Sequence, residues 1–240
     1  MSLKGLYRVG LLCAILSTVG WLTYIYGSIS ASSFGLSDSP ADLIVRIDHT
    51  QLRFYDLLYG WGGVLGALAT IPYIIAFSYA ARDAGAILVV PAVLAVIGAG
   101  LTAYAFLSGA LNAHYVYATT LRELNGAEQL AYATAVAAAL DSVEAVWFFA
   151  SFLAYGLGMG WFALLALQSA AIPRWLSWIG VVGGVTGVSW LFLFIPIPYV
   201  VLLRMVNIVV LIVWSIGMGV VTAHIDDMPA ERSVLRAATI

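Results

Sequence analysis

The chain has 240 residues, of which 63% are hydrophobic and 9% charged, with a formal net charge of −2 and a mean hydropathy of +1.01. Soluble domains carry about 25% charged residues, so a chain this poor in charge cannot clothe a globular surface with polar groups, and lipid is the solvent its composition calls for. The small negative charge offers no basic footprint for nucleic acid, and a single cysteine, Cys13, can form neither an internal disulfide nor a thiolate metal site by itself.

The first apolar run, about 6–30, carries Lys4 and Arg8 at its head, like a signal peptide. It exceeds the apolar region of about 7–15 residues found in cleaved signals and is read as a retained span. Next comes "SDSPADLIVRIDHTQLRFYD". Ser39 suits an N-cap and Pro40 the first helical position. Asp42, Arg46, His49, Arg53 and Asp56 recur at spacings of 4, 3, 4 and 3, which predicts an amphipathic helix over about 40–56 feeding into the next span.

Further apolar runs cover about 57–81, 86–112, 143–168, 175–195 and 199–222, each near the roughly 20 residues that cross a hydrocarbon core. They are separated by the charged turn "RDAG" at 82–85, by Asn125-Gly126, by "IPRW" at 172–175 and by "IPIP" at 195–198. Residues before proline avoid the α region, and glycine tolerates the left-handed one. An alanine-rich helix over about 127–142 leads into the fourth span, Pro72 and Pro91 are expected to kink theirs, and 225–240 is left as a tail. The expected fold is all-α: one integral membrane domain of six transmembrane helices with two helical extensions outside.

Lys4, Arg8, Arg82, Arg174, Arg232 and Arg236 fall on one side of this arrangement, and Arg46, Arg53 and Arg122 on the other. The positive-inside rule then puts both termini in the cytoplasm of a plasma-membrane protein. Glycines four apart, at 62/66, 156/160, 180/184 and 183/187, predict close helix packing within one bundle.

The polar residues near the hydrocarbon gather toward the outer side. Arg204 lies roughly 7 Å below the head of the last span, with Asn207 one turn deeper on the same face. Asp141 and Glu144 head the fourth span, Asp56 the second, and His114 ends the third. An arginine at the centre of a span costs about 2.5–3.5 kcal/mol, so a carboxylate partner for Arg204 among Glu144, Asp141 and Asp56 is expected, lining an outward polar pocket with His114 and His49. His49, His114, Glu144 and Asp141 have no metal-ligand spacing, and no metal is expected. No span supplies a facing histidine pair for haem. The only lysine, Lys4, is too shallow for a retinal Schiff base. No cofactor is expected.

"SAAIPRWLSWIGVVGGVTGV", followed by "VWSIGMGVV" in the last span, resembles a family of uncharacterised bacterial and archaeal six-span membrane proteins with a Pro-Arg-Trp-Leu-x-Trp turn before the penultimate span. The likeness covers roughly 140–222 and implies the six-span fold without supplying catalytic residues. With no catalytic constellation in sight, the sequence favours a non-catalytic accessory subunit that meets lipid and other membrane subunits or a second copy of itself. The alternatives are a transporter or outward-facing binding protein built around Arg204, and, third, a metal-dependent membrane enzyme.

Overall fold

The computed structural model describes residues 3–30, 39–48, 50–192 and 198–225, apart from the side chains of residues 46, 48, 50, 52, 198 and 201. Nearly all of them are helical and none forms a strand. Helix α1 spans Leu3–Ser30, α2 Pro40–Asp48 and α3 Thr50–Ala80. Helix α4, Val89–Phe106, passes through two π-helical turns into α5, Ala118–Glu123. Helix α6, Gly126–Ser151, passes through a π segment at Phe152–Gly158 into α7, Met159–Ala166. Helix α8 runs Arg174–Gly187 with a 3₁₀ turn to Leu191, and α9 runs Pro198–Ala223.

Among the described residues, five helical stretches are long and apolar enough to cross a membrane: Leu3–Ser30, Arg53–Ala80, Ala86–Glu123, Gly126–Ala166 and Leu202–Ala223. The run expected over 175–195 is a shorter α8 that tightens into 3₁₀ geometry after Gly187, where the Ser189 hydroxyl donates to the Thr186 carbonyl at 2.6 Å. The two prolines expected to bend spans both lie within apolar stretches, at different depths. Pro91 occupies the first turn of α4, where its missing N–H leaves no helical bond broken, whereas Pro72 lies within α3.

Sequence patterns explain the joins. The Ser39 hydroxyl accepts the Asp42 N–H at 3.2 Å and donates to the Asp42 carboxylate at 2.6 Å, capping α2. The helix expected over 40–56 is described on both sides of position 49, as α2 and the start of α3; position 49 itself lies outside the described residues, as do 193–197, which include most of the "IPIP" break, and the tail from 226. Gly126, with φ +57°, makes the turn into α6. The alanine-rich stretch and the span after it are one helical column, without a break at 142.

The bundle is zipped by glycine. A Cβ on Gly20 of α1 would lie 2.7 Å from the Cα of Gly66 and 2.8 Å from the carbonyl oxygen of Gly62, both on α3. A Cβ on Gly160 of α7 would lie 2.6 Å from the Cα of Gly184 on α8. These helix pairs touch at the backbone, as small-xxx-small faces permit in lipid. A second small core stands apart from the main one: Leu43 and Ile47 of α2 pack with Leu121 of α5 and with Ala133, Val136 and Leu140 of α6. The Arg122 guanidinium donates to the Ile47 carbonyl at 2.7 Å and the Gln129 amide to the Leu121 carbonyl at 2.9 Å, binding this cap together.

At the opposite end, Asp83 joins two turns. Its carboxylate accepts the Ser169 hydroxyl at 2.6 Å and the Ala170 N–H at 2.7 Å, tying the turn after α3 to the turn before α8. The dipeptide Arg82-Asp83 reads in the sequence as a bare charged turn, and nothing in its spacing reveals this partner, which is 86 residues away.

Candidate functional site

Helix α9 presents Arg204 and Asn207 on one face, as their spacing of three requires. Asn207 is fully buried and its carboxamide is consumed within the chain. It donates to the Gly183 carbonyl at 2.6 Å and to the Thr186 hydroxyl at 3.3 Å, and it accepts the indole N–H of Trp190 at 2.8 Å. Asn207 therefore fastens α9 to the end of α8, where the change to 3₁₀ geometry turns Trp190 toward it.

Arg204, one turn nearer the helix head, is half-buried. Its guanidinium carbon lies 4.2 Å from the centre of the Phe148 ring and 5.5 Å from that of Trp190, and one N–H donates to the Phe192 carbonyl at 3.2 Å. The Arg204 Nε is buried without a hydrogen-bond partner among the described residues. The half-buried Glu144 acts on Arg204 electrostatically, but among the described residues no carboxylate lies within ion-pair distance of the guanidinium. Aromatic faces lie against the guanidinium where the sequence suggested a carboxylate: Phe148 follows Glu144 by one helical turn and stacks on Arg204. A half-exposed arginine laid on a ring gains about 0.5–1 kcal/mol, which offsets part of its cost of entering an apolar layer.

The other expected site residues form a separate group. Asp56 and His114 are both buried, with the Asp56 carboxylate 3.3 Å from His114 Nε2. The Arg53 guanidinium donates to the His114 carbonyl at 3.2 Å, so α3 grips the π-helical stretch through both a side chain and a main-chain group. His114 lies in the second of the two π turns, where the wider coil changes the face that a side chain occupies. Its Nδ1 has no hydrogen-bond partner among the described residues. Asp141 is exposed on α6, and His49 lies outside the described residues. Between the Arg204 group and the Asp56–His114 pair stands a slab of rings in which Trp147 packs against Phe106 (5.2 Å), Trp190 (5.6 Å) and Tyr59 (6.4 Å). Among the expected pocket residues that are described, Arg204 and Asn207 contact Trp190, whereas Asp56 and His114 contact each other.

The exposed side of the same π turns carries an open groove of ≈ 360 Å³, lined by Trp61, Tyr104, Leu107, Ser108, Asn112 and Tyr115 together with Leu111. The Trp61 indole N–H donates to the Tyr115 hydroxyl at 3.3 Å across it. Among the described residues no three His, Cys, Asp or Glu side chains come together to hold a metal ion. Compared with protein-family models, curated proteins and solved structures, the chain matches none.

The sequence did not reveal Phe148, Trp190 and the Phe192 carbonyl as the surroundings of Arg204. One signal was available: Phe148 follows Glu144 by four residues and shares its face. The contact with Trp190 depends on the fold and has no local signature.

Proposed function

We propose that the chain is a non-catalytic accessory subunit of a larger membrane complex, crossing the plasma membrane six times with both termini in the cytoplasm and the α2–α5–α6 cap outside. The observation that carries this reading is how the deep polar groups are used. Asn207 spends its carboxamide on Gly183, Thr186 and Trp190, and Arg204 lies on Phe148 and Trp190, so these side chains hold helices together. The glycine seams support the same view, since helices in backbone contact resist the rocking that alternating access requires. The cap, with its own apolar core, supplies a folded platform for another subunit. Trp175 and Trp178 are exposed on α8 just after Pro173, as in the interfacial turn of the six-span family the chain resembles.

Purification of the tagged chain from its native membrane in mild detergent tests this reading. Stoichiometric co-purifying membrane proteins are the expected result. A single monodisperse species whose melting temperature rises with an added organic anion contradicts it and favours the alternative, an outward-facing binding protein. One feature speaks for that alternative: the half-buried Arg204 guanidinium, whose Nε has no hydrogen-bond partner among the described residues.

A further inference from the structure

The groove between Trp61 of α3 and the two π turns has the size of a ligand cleft: its ≈ 360 Å³ falls within the roughly 300–1,000 Å³ such clefts enclose. Its level in the bundle follows from counting. About 20 helical residues cross a hydrocarbon core, so a crossing that starts at Val89, the head of α4, ends near position 109. Tyr104 and Leu107 then lie on the hydrocarbon side of that boundary, and Asn112 and Tyr115 on the polar side. The same count back from Ala80, the end of α3, reaches the neighbourhood of Trp61, whose indole donates to Tyr115. Trp61, Tyr104 and Tyr115 are each more than half exposed, as aromatic side chains are where hydrocarbon meets head groups.

The polar groups of the groove can be followed one by one. None of its lining residues is charged. The Ser108 hydroxyl spends its proton on the Tyr104 carbonyl at 2.7 Å. The Tyr115 hydroxyl accepts the Trp61 N–H at 3.3 Å, which leaves its own single proton unspent among the described residues. Asn112 is half-buried at the joint between the π turns Leu107–Leu111 and Ala113–Tyr117, and among the described residues its carboxamide makes no hydrogen bond. Single π turns frequently mark functional sites, and here two of them flank the one amide of the groove. The polar end therefore offers two kinds of free donor, N–H and O–H, above an apolar end formed by Tyr104 and Leu107.

We propose that this groove binds one glycerolipid of the bilayer, with Asn112 and Tyr115 donating to its ester carbonyls and an acyl chain lying along Tyr104 and Leu107. The neutral lining selects uncharged acceptor oxygens over an ion. The level of the groove selects the part of a lipid where such oxygens adjoin hydrocarbon, the linkage between glycerol and chains. The inference rests on the chain crossing a bilayer and not on its being a subunit, so a lipid held by the chain purified alone leaves the subunit reading to its own test.

Reconstitution of the purified chain in vesicles with equal amounts of diester and diether phosphatidylcholine of one chain length tests the site. After extraction in a lipid-retaining detergent, native mass spectrometry reads the lipid still bound. One diester lipid per chain is expected, favoured over the diether about two- to tenfold, the factor that one hydrogen bond supplies. Asn112→Leu or Tyr115→Phe brings the ratio toward one, whereas Tyr26→Phe, at an exposed tyrosine of α1 that does not line the groove, leaves it unchanged. The Tyr115→Phe arm stands if Asn112→Leu does not fold. Equal retention of the two lipids by the unaltered chain, or a ratio that neither groove variant lowers, overturns the proposal. A dimer that holds no lipid and is split by Asn112→Leu also overturns it, because a second copy then fills the groove.

Discussion

Asn207 and Arg204 sit one turn apart on the same face and do different work. Replacing Asn207 with leucine strands the Trp190 indole N–H and the Gly183 carbonyl in an apolar interior, and each unsatisfied group costs about 1–3 kcal/mol. Asn207→Leu is therefore expected to cost more than any single Val→Ala change on the lipid-facing side of α9, as measured by reversible unfolding in mixed micelles. Arg204→Leu should destabilise more than Arg204→Lys, which keeps a charge over the rings. The partner that matters can be identified by double-mutant cycles. Arg204 should couple to Phe148 by about 0.5–1 kcal/mol and less strongly to Glu144, which acts from beyond contact; a larger Glu144 coupling would contradict the observed geometry. The sequence allowed Arg204 and Asn207 to be placed on one face, since that follows from helical period alone. Their partners were hidden because Phe148 and Trp190 lie 56 and 14 residues before Arg204 and meet it only through the fold.

Helix against helix, the decisive feature is backbone contact at glycine. Gly20→Ala places a methyl group against the main chain of α3, and overpacking of this kind costs about 1–3 kcal/mol. Gly100 has nothing within 4 Å of the same added atom, so Gly100→Ala should be neutral or mildly stabilising through helix propensity. Comparing the two melting temperatures separates a packing role from a general intolerance of alanine. At the opposite end, Asp83→Ala removes the acceptor for the Ser169 hydroxyl and the Ala170 N–H and should cost about 1.5–3 kcal/mol, the range for hydrogen bonds to a charged group; Asp83→Asn should lose less. The glycine faces were legible because small residues four apart have one common use in lipid. The three π segments were not, because a π turn is an inserted residue in an unbroken helical stretch, and neither "LSGAL" nor "FLAYGLG" differs in composition from ordinary span sequence. That blind spot left unforeseen the π-helical backbone at His114 and Tyr155.

For the molecule as a whole, composition alone already called for lipid, and the all-helical bundle with its five long apolar stretches agrees with that. The count of six crossings depends on α8, whose shorter described helix has to reach across with its 3₁₀ turn. The proposed topology puts the cap and the Asp83–Ser169 turn on opposite sides of the bilayer. Cys13 is the only cysteine, so a Cys13→Ser background gives a clean reporter. The most direct measurement is labelling of Glu128→Cys in the cap and Gln168→Cys in the turn, both at exposed positions, with a membrane-impermeant maleimide. Labelling of Glu128→Cys in intact cells, with Gln168→Cys reacting only after permeabilisation, is the expected result. Equal labelling of both in intact cells, or the reverse order, would contradict it.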